Sequence, residues 1–320
     1  MYYETKKKKR PRRRSFRWAL FRFFASLLIT AVLLAGVFAG ALYIAPVSLF
    51  LLDPQEEMYI NSDLPLTHMN VLLMGVDVNN YGQRSDSMMV LSVGDGDIVL
   101  TSLMRDMVVK IPGHDSTKIN AAHVYGGPLL TIQTVNRNFG MNVCKYVKVD
   151  FLGLVHAVDA LGGVRLKITE EERNKINAQV ADKDARLKAD GYWIEPLTEY
   201  GEDTLLNGVQ ALAYSRIRKL DSDYNRTGRQ RQVLQAMFQR VREDGLNLVQ
   251  AAKLLDVLAQ DVDTNLSWIE MAMLGMKAVK ADGIEMHRLP APDTFTDNGS
   301  SLRIDAPANA AALQAWIYEQ

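Results

Sequence analysis

The pattern of apolar and polar positions divides the chain into an anchor and a body. Phe23–Leu52 contains no charged residue, and its first 23 residues, Phe23–Ala45, are already long enough to cross a membrane. A bilayer needs about 20 apolar residues, whereas the apolar core of a cleaved leader has only about 7–15. The pattern therefore predicts a transmembrane helix over residues 18–45, followed by a linker over 46–69 punctuated by Asp53-Pro54, Ser62-Asp63 and Pro65. Asn70–Asp77 is a continuous apolar run ending in Gly75 and Asp77, as in a strand buried on both faces. Arg84–Val93 and Ile98–Leu103 read as further strands about a tight Gly94–Asp97 turn. Pro128 opens a helix running to about Asn138. Cys144–Asp150 alternates as a strand, Phe151–Gly163 is an amphipathic helix stopped by two glycines, and Val164–Ile168 is the next strand. Glu170–Tyr200 is highly charged and reads as a mobile surface excursion, with Tyr192 and Trp193 packing back. Helices follow over Gly208–Ile217, with Asn207 as N-cap, and from about Arg226 through Val241. Leu246–Gln260 is also helical, and Ser267 and Glu270 form a capping box for a helix to about Val279. Gly283–Leu289, stopped by Pro290, is an edge strand, and Asp305 caps a last helix led by Pro307. Strands alternating with helices over residues 70–320 make one α/β domain.

Charge sharpens this division. The chain holds 37 basic and 37 acidic residues, but ten of the basic ones and only Glu4 among the acids lie in the first 45. The remainder has 27 basic and 36 acidic residues, a net charge of −9. An acidic body argues against nucleic-acid binding. The Lys6–Arg14 cluster, residues 1–17 as a tail, belongs on the cytoplasmic side, which puts the body outside the cytoplasm. Cys144 is the sole cysteine and reads as a small core residue; the five histidines show no metal-ligand spacing.

The chemistry gathers in two places. Strand termini present Asp77, the pair Arg84 and Asp86, and Arg105-Asp106. In open α/β sheets ligands bind beyond such ends. Each acid alone suits a turn or cap; together, Asp77 and Asp86 could share a hard divalent cation. The second place is Ala211–Arg231, which holds Arg216, Arg218, Lys219, Arg226, Arg229 and Arg231. Arg226, Gln230, Val233 and Met237 share one helical face, with Arg229 beside them. The apolar end of that face must point inward, so its first turn carries guanidinium groups toward the interior. One reading is a phosphate clamp at a helix N-terminus; the other is a solvated, salt-bridged helix start. The acids nearby in sequence are Asp221 and Asp223.

NVLLMGVD, RSDSMMVLSV, SLMRD, TKINAAHVYGGP, VDALGGV and LAYSRIRKLDSDYNRTGRQRQVL occur in this order behind a tail and anchor. In this the chain resembles the LytR-CpsA-Psr (LCP) family. The resemblance implies a mixed central sheet between helix layers and a hydrophobic pocket for a polyprenyl chain. It implies transfer of an anionic glycopolymer, such as teichoic acid or capsule, from a polyprenyl-pyrophosphate carrier to peptidoglycan through a phosphodiester link. The setting implied is the cell membrane of a Gram-positive bacterium. By motif, Asp77 and Asp86 would hold Mg²⁺ (or Mn²⁺). Arg84, Arg105, Arg216, Arg218, Arg226 and Gln230 would bind the pyrophosphate, with Lys118, Asn120, Asp223 and Arg229 in support. Arg105, Asp106 and Arg216 would serve catalysis, Asp106 as a candidate base. The family's proline before the Arg-Asp pair is Met104 here, which bears on the turn at Arg105. The polyprenyl slot is expected between Phe151–Leu161 and Gln232–Val241; ordinary core is the other use of those faces. Two further activities share the same head group: a membrane-anchored regulator that binds without turnover, and a polyprenyl-pyrophosphate pyrophosphatase.

Overall fold

The computed structural model describes residues 58–79, 82–181, 195–217, 223–245 and 247–319. The expected tail, membrane span, Tyr192, Trp193 and Arg218 lie outside the described residues, and of Asp77, Arg84 and Asp223 only the backbone assignment is described. Among the described residues no helix is long and apolar enough to cross a membrane.

The core is a mixed six-stranded sheet. Its strands are β1 (Met69–Asn79), β2 (Gly82–Val93), β3 (Ile98–Leu103), β6 (Lys145–Val149), β9 (Val262–Thr264) and β10 (Glu285–Leu289), in the order β10-β3-β2-β1-β6-β9. β1 and β6 run parallel, as do β3 and β10, while β2 is antiparallel to both its neighbours. Alternation along β1 explains its continuous apolar run. Leu72 and Met74 enter one buried cluster with Ile132, Val135 and Phe139 of α1 (Ala121–Phe139) and Leu313 and Ile317 of α8 (Ala306–Tyr318). Met69 and Val71 enter another with Met273 of α7 (Trp268–Lys280). Both faces are covered, so an alternating polar face would be buried without partners.

Two smaller sheets flank this core. One orders β11 (Phe295–Asp297), β12 (Leu302–Ile304), β4 (Met107–Lys110) and β5 (Ser116–Lys118); the other pairs β7 (Val164–Ile168) with β8 (Gly201–Leu206). The shortest strands carry too weak a period to be read from sequence: β4, β5, β9, β11 and β12 were not expected, nor was the six-residue β8, although the five-residue β6, β7 and β10 were.

Several boundaries differ from expectation. The packed body includes residues from Met58, which is buried, and Asn61 N–H donates to Met141 O at 3.0 Å. α1 begins at Ala121, ahead of the expected Pro128, and is broken at Gly126-Gly127, where Gly127 takes φ 65°. The supposed surface excursion instead opens with helix α3 (Glu170–Ala181), which buries Ile176 and Val180. Thr169 and Glu172 form its capping box: Glu172 N–H donates to Thr169 Oγ1 at 3.2 Å and Thr169 N–H to Glu172 Oε2 at 3.1 Å.

The expected slot between the helix at Phe151 and the helix at Arg226 is largely filled. α4 (Gly208–Ser215) stands between α2 (Phe151–Ala160) and α5 (Asp223–Asp244). Val155 and Val158 from α2, Val209 and Leu212 from α4, and Val233 and Ala236 from α5 share one buried cluster. Those apolar faces are ordinary core. α4 begins as expected, with Asn207 and Gln210 in a reciprocal capping box.

Candidate functional site

The C-terminal ends of β1 and β6 meet the start of β2 and the end of β3 at one rim of the sheet. There β1 and β2 slip register. Gly75 pairs with Ser87 and Val76 with Ser85, so Asp86 is the extra residue of a β-bulge. Bulges re-aim side chains and are common beside functional sites. Glycine suits this contact, because a Cβ on Gly75 would lie 3.2 Å from Ser87 Cβ.

Arg105 reaches Asp86 from the end of β3. Its Nη1 donates to Asp86 Oδ1 at 2.8 Å and its Nε to Asp106 Oδ2 at 3.4 Å. Lys118 Nζ holds the other oxygen of Asp106 at 2.7 Å. The Arg105 carbonyl accepts from Asn120 N–H at 3.4 Å, and the Asp106 carbonyl from Leu302 N–H at 2.9 Å. Asn120 is the N-cap of α1, but its side chain makes no capping hydrogen bond. Arg105, Lys118 and a helix N-terminus therefore converge, all favouring an anion.

Met104 resolves the question raised by the missing proline. Its N–H donates to Leu289 O at 3.0 Å, extending the β3–β10 pairing by one bond, and its side chain is buried in the main core. Proline could not donate that bond. The turn is closed all the same, by Met107 N–H to Met104 O at 3.2 Å.

The arginine-rich stretch does turn inward. Arg226 is 3% exposed and Arg229 7%, so the solvated reading does not hold. Arg226 Nη2 reaches the Asp86 carbonyl at 3.5 Å, a long contact that brings α5 to the same bulge residue as Arg105. Gln230 Oε1 is buried with no hydrogen-bond partner among the described residues. Arg229 points elsewhere. Its Nε meets Glu172 Oε1 at 3.3 Å, its Nη1 the Ile217 carbonyl at 3.4 Å, and its guanidinium lies 6.0 Å from the Tyr214 ring centroid. Arg229 thus ties α3, the end of α4 and α5 together.

Its acid, Glu172, lies in the stretch read as an excursion. Asp221 and Asp223, the nearby acids in sequence, have no described side chains. The T-x-x-E spacing before an apolar-containing helix was the available signal. Tyr214 is buried beside this pair, and its hydroxyl donates to Gln232 Oε1 at 2.6 Å. Burial, with the Glu172 charge adding and Arg229 opposing, pushes the phenol up to about 12.

Arg216 caps α4 at its C-terminus and stacks over Phe151, 4.5 Å from the ring centroid. Phe151 opens α2 directly after Asp150, whose side chain accepts from Gly153 N–H as N-cap at the end of β6. That contact holds Arg216 at the first turn of α2, next to the β6 terminus. Of the sequence candidates, Asp86, Arg105, Asp106, Lys118, Asn120 and Arg226 come together. Asp77 and Arg84 are paired positions on β1 and β2 next to the bulge. No group of three or more His, Cys, Asp or Glu able to hold a metal occurs among the described residues.

With this geometry established, similarity to known proteins is informative. The LytR_cpsA_psr family model matches residues 53–316. A polyisoprenyl-teichoic acid–peptidoglycan teichoic acid transferase TagU from Oceanobacillus iheyensis is 33% identical over 234 residues, covering 69% of this chain and 67% of its own. The regulatory protein MsrR of Staphylococcus aureus is 27% identical over 267 residues, covering 78% and 75%. Among solved structures, TagT bound to LIIa-WTA superposes with a TM-score of 0.62 at 23% identity, over 84% of this chain and 93% of that one.

Proposed function

The chain belongs to the LytR_cpsA_psr family, and from that premise we propose that it transfers an anionic glycopolymer from a polyprenyl-pyrophosphate carrier to peptidoglycan. One observation carries the reading. Arg105, from a strand end, and Arg226, from a helix over a hundred residues on, both reach the single bulge residue Asp86. Guanidinium groups directed at one point, next to Lys118 and the start of α1, suit a pyrophosphate better than any neutral ligand.

The donor's pyrophosphate lies against Arg105, Arg226 and Lys118, with Asn120 and Gln230 close by; Arg84, Arg216 and Arg218 would join them by the family motif. A hydroxyl of peptidoglycan attacks the phosphorus that bears the polymer. A new P–O bond forms, the hydroxyl's proton passes to solvent, the P–O bond to the bridging oxygen breaks, and polyprenyl phosphate leaves with that oxygen. The guanidiniums stabilise the charge on the departing phosphate, the term that dominates such transfers. Asp106 is held by Lys118 and Arg105, which suits fixing the Arg105 fork in place more than serving as an open base. Arg229, held by Glu172, supports the cluster from behind.

A divalent cation fits this donor set. Asp86 is a bulge carboxylate with a side chain 26% exposed, and Asp77 sits on the adjoining strand two pairs from it. Oxygen donors of this kind suit Mg²⁺ or Mn²⁺. Asp77 and Asp86 would hold the ion, which when bound supplies charge neutralisation at phosphoryl oxygens.

The uncharged Phe23–Leu52 stretch and the basic tail support a single-pass membrane protein of a Gram-positive cell, with the body outside. The name of the MsrR relative favours a second reading, a membrane-anchored regulator that binds the same head group. Full-length chain in detergent, given lipid-linked polymer, peptidoglycan and Mg²⁺, separates the possibilities. Transfer yields wall-attached polymer and polyprenyl phosphate. Binding without turnover would support the regulator, and phosphate-ended polymer formed without acceptor would support a pyrophosphatase.

A further inference from the structure

The entry to the body is tied to one helix. The uncharged stretch ends at Leu52, and five residues, Asp53–Glu57, separate it from Met58. An extended chain advances at most about 3.6 Å per residue, so Met58 stays within roughly 22 Å of Leu52. Met58 is fixed to α1, since its carbonyl accepts from Asn136 Nδ2 at 2.8 Å. Beside it the Arg137 guanidinium lies over the Tyr59 ring, 5.3 Å from the centroid. Tyr59 takes φ 52°, a left-handed backbone that a bulky residue rarely adopts. Its ring is exposed, although Met58 before it is buried.

The buried side of α1 fixes what its other side offers. Ala122, Ile132, Val135 and Phe139 enter the main core, so Val124, Tyr125, Leu129 and Arg137 face away from it. Tyr59, Val124, Tyr125 and Leu129 are each 44–50% exposed. Tyr125 stacks on His114 with ring centroids 4.4 Å apart. The Asn138 side chain binds Lys110 N–H at 3.1 Å and Lys110 O at 2.8 Å, so the β4–β5 turn lies along the same helix. Exposed apolar groups gathered this way mark a contact surface. Tyrosines beside Arg137 and Lys110 suit the headgroup level of a bilayer, where rings sit in the interface and cations reach phosphates. Asp115 in that turn, and Asp63 next to the helix C-terminus through Asn61, balance the two cations. The face is therefore neutral, whereas the chain beyond residue 45 carries −9. It is the part of an acidic body that an anionic lipid surface repels least.

We propose that the outer side of α1, with Tyr59, rests on the lipid surface and sets the height of the functional site above it. α1 starts at Asn120, whose N–H binds the Arg105 carbonyl, so the element in contact with lipid also carries one wall of the anion site. A donor with its chain in the bilayer holds its diphosphate at headgroup level, where this contact presents the cations. The contact serves a transferase and a binding-only regulator alike. It rests on the reading of Phe23–Leu52 as a membrane anchor, and the experiment separates the two.

Full-length protein is reconstituted into vesicles of phosphatidylcholine and phosphatidylglycerol that contain a lipid spin-labelled near the headgroup. Tyr125→Cys, Leu129→Cys and Val249→Cys, each combined with Cys144→Ala, carry one fluorophore at the new thiol. Val249, 65% exposed on α6 (Leu248–Gln260), is an accessible apolar position on another helix. An interfacial helix sinks about 5–10 Å into the headgroup region, so labels at 125 and 129 should be quenched at least about 3-fold more than the label at 249. Adding Tyr59→Glu and Leu129→Glu to the Tyr125→Cys protein should bring its quenching down to the level at 249. Equal quenching at the three positions, or quenching at 125 that the two glutamates leave unchanged, overturns the contact while the protein stays in the vesicles at alkaline pH. Release of the unlabelled protein at alkaline pH would overturn the anchor reading, and the contact with it.

Discussion

Replacing Arg105 by lysine tests the site with charge held constant. The native guanidinium spans two carboxylates, Asp86 at 2.8 Å and Asp106 at 3.4 Å. An ammonium is a point charge and cannot reproduce that fork. The structural cost should be small. Asp86 and Asp106 have side chains 26% and 21% exposed, so water can replace part of the contact, and Lys118 still holds Asp106. About 1–2 kcal/mol of stability is expected, below the 3–5 kcal/mol of a fully buried pair. In a domain of this size that lowers Tm by roughly 2–8 °C. Transfer should suffer far more. Loss of one preorganised donor aimed at developing charge lowers turnover about 10²–10³-fold. The assay is kcat/KM for release of polyprenyl phosphate from lipid-linked polymer, with thermal unfolding of the same preparations. A lysine variant within about 3-fold of wild type would refute the fork argument. A loss of activity matched by loss of cooperative unfolding would show that Arg105 only holds the fold.

Other predictions follow from single contacts. Glu172→Gln takes the Glu172 carboxylate away from buried Arg229 and should cost about 3 kcal/mol in denaturant unfolding; an unchanged midpoint would mean that the pair does not secure α3. Met104→Pro removes both the bond to Leu289 O and the buried methionine side chain, and should cost about 2–5 kcal/mol, measurable as a lower Tm. Glu270 is opposed by its own burial, yet Lys145 at 2.7 Å and the Ser267 capping bonds hold its carboxyl below the usual range. Because its folded value is depressed, its stabilisation is complete above the ordinary glutamate value and fades as pH falls through the lower folded one. Thermal melts from neutral to acid pH should therefore show a shallower acid decline in Lys145→Met than in wild type.

Much of the fold was legible because burial imposes period. The β1 run, the β2–β3 hairpin and the Asn207 cap were readable from spacing alone, and so was the edge position of β10. The short strands were not, since β5 and β9 have three residues each, too few for alternation to register. α3 was hidden by its polar composition; only Ile176 and Val180 mark its buried side. The inward turn of Arg226 and Arg229 was legible, because Val233 on the same face had to be in the core. Their partners were not, because Glu172 and Asp86 are distant in sequence and nothing local names them. The apolar faces of α2 and α5 misled for a related reason: α4, which fills the space between them, is itself buried on every side.

The central claim is that Arg105 and Arg226 grip one diphosphate. It is tested most directly by a double-mutant cycle on pyrophosphate-lipid donor binding, using Arg105→Lys, Arg226→Lys and the pair. A shared ligand predicts strong non-additivity, with the second substitution costing much less in the presence of the first. Fully additive losses would mean that the two arginines serve separate places, and the account of the site would fail.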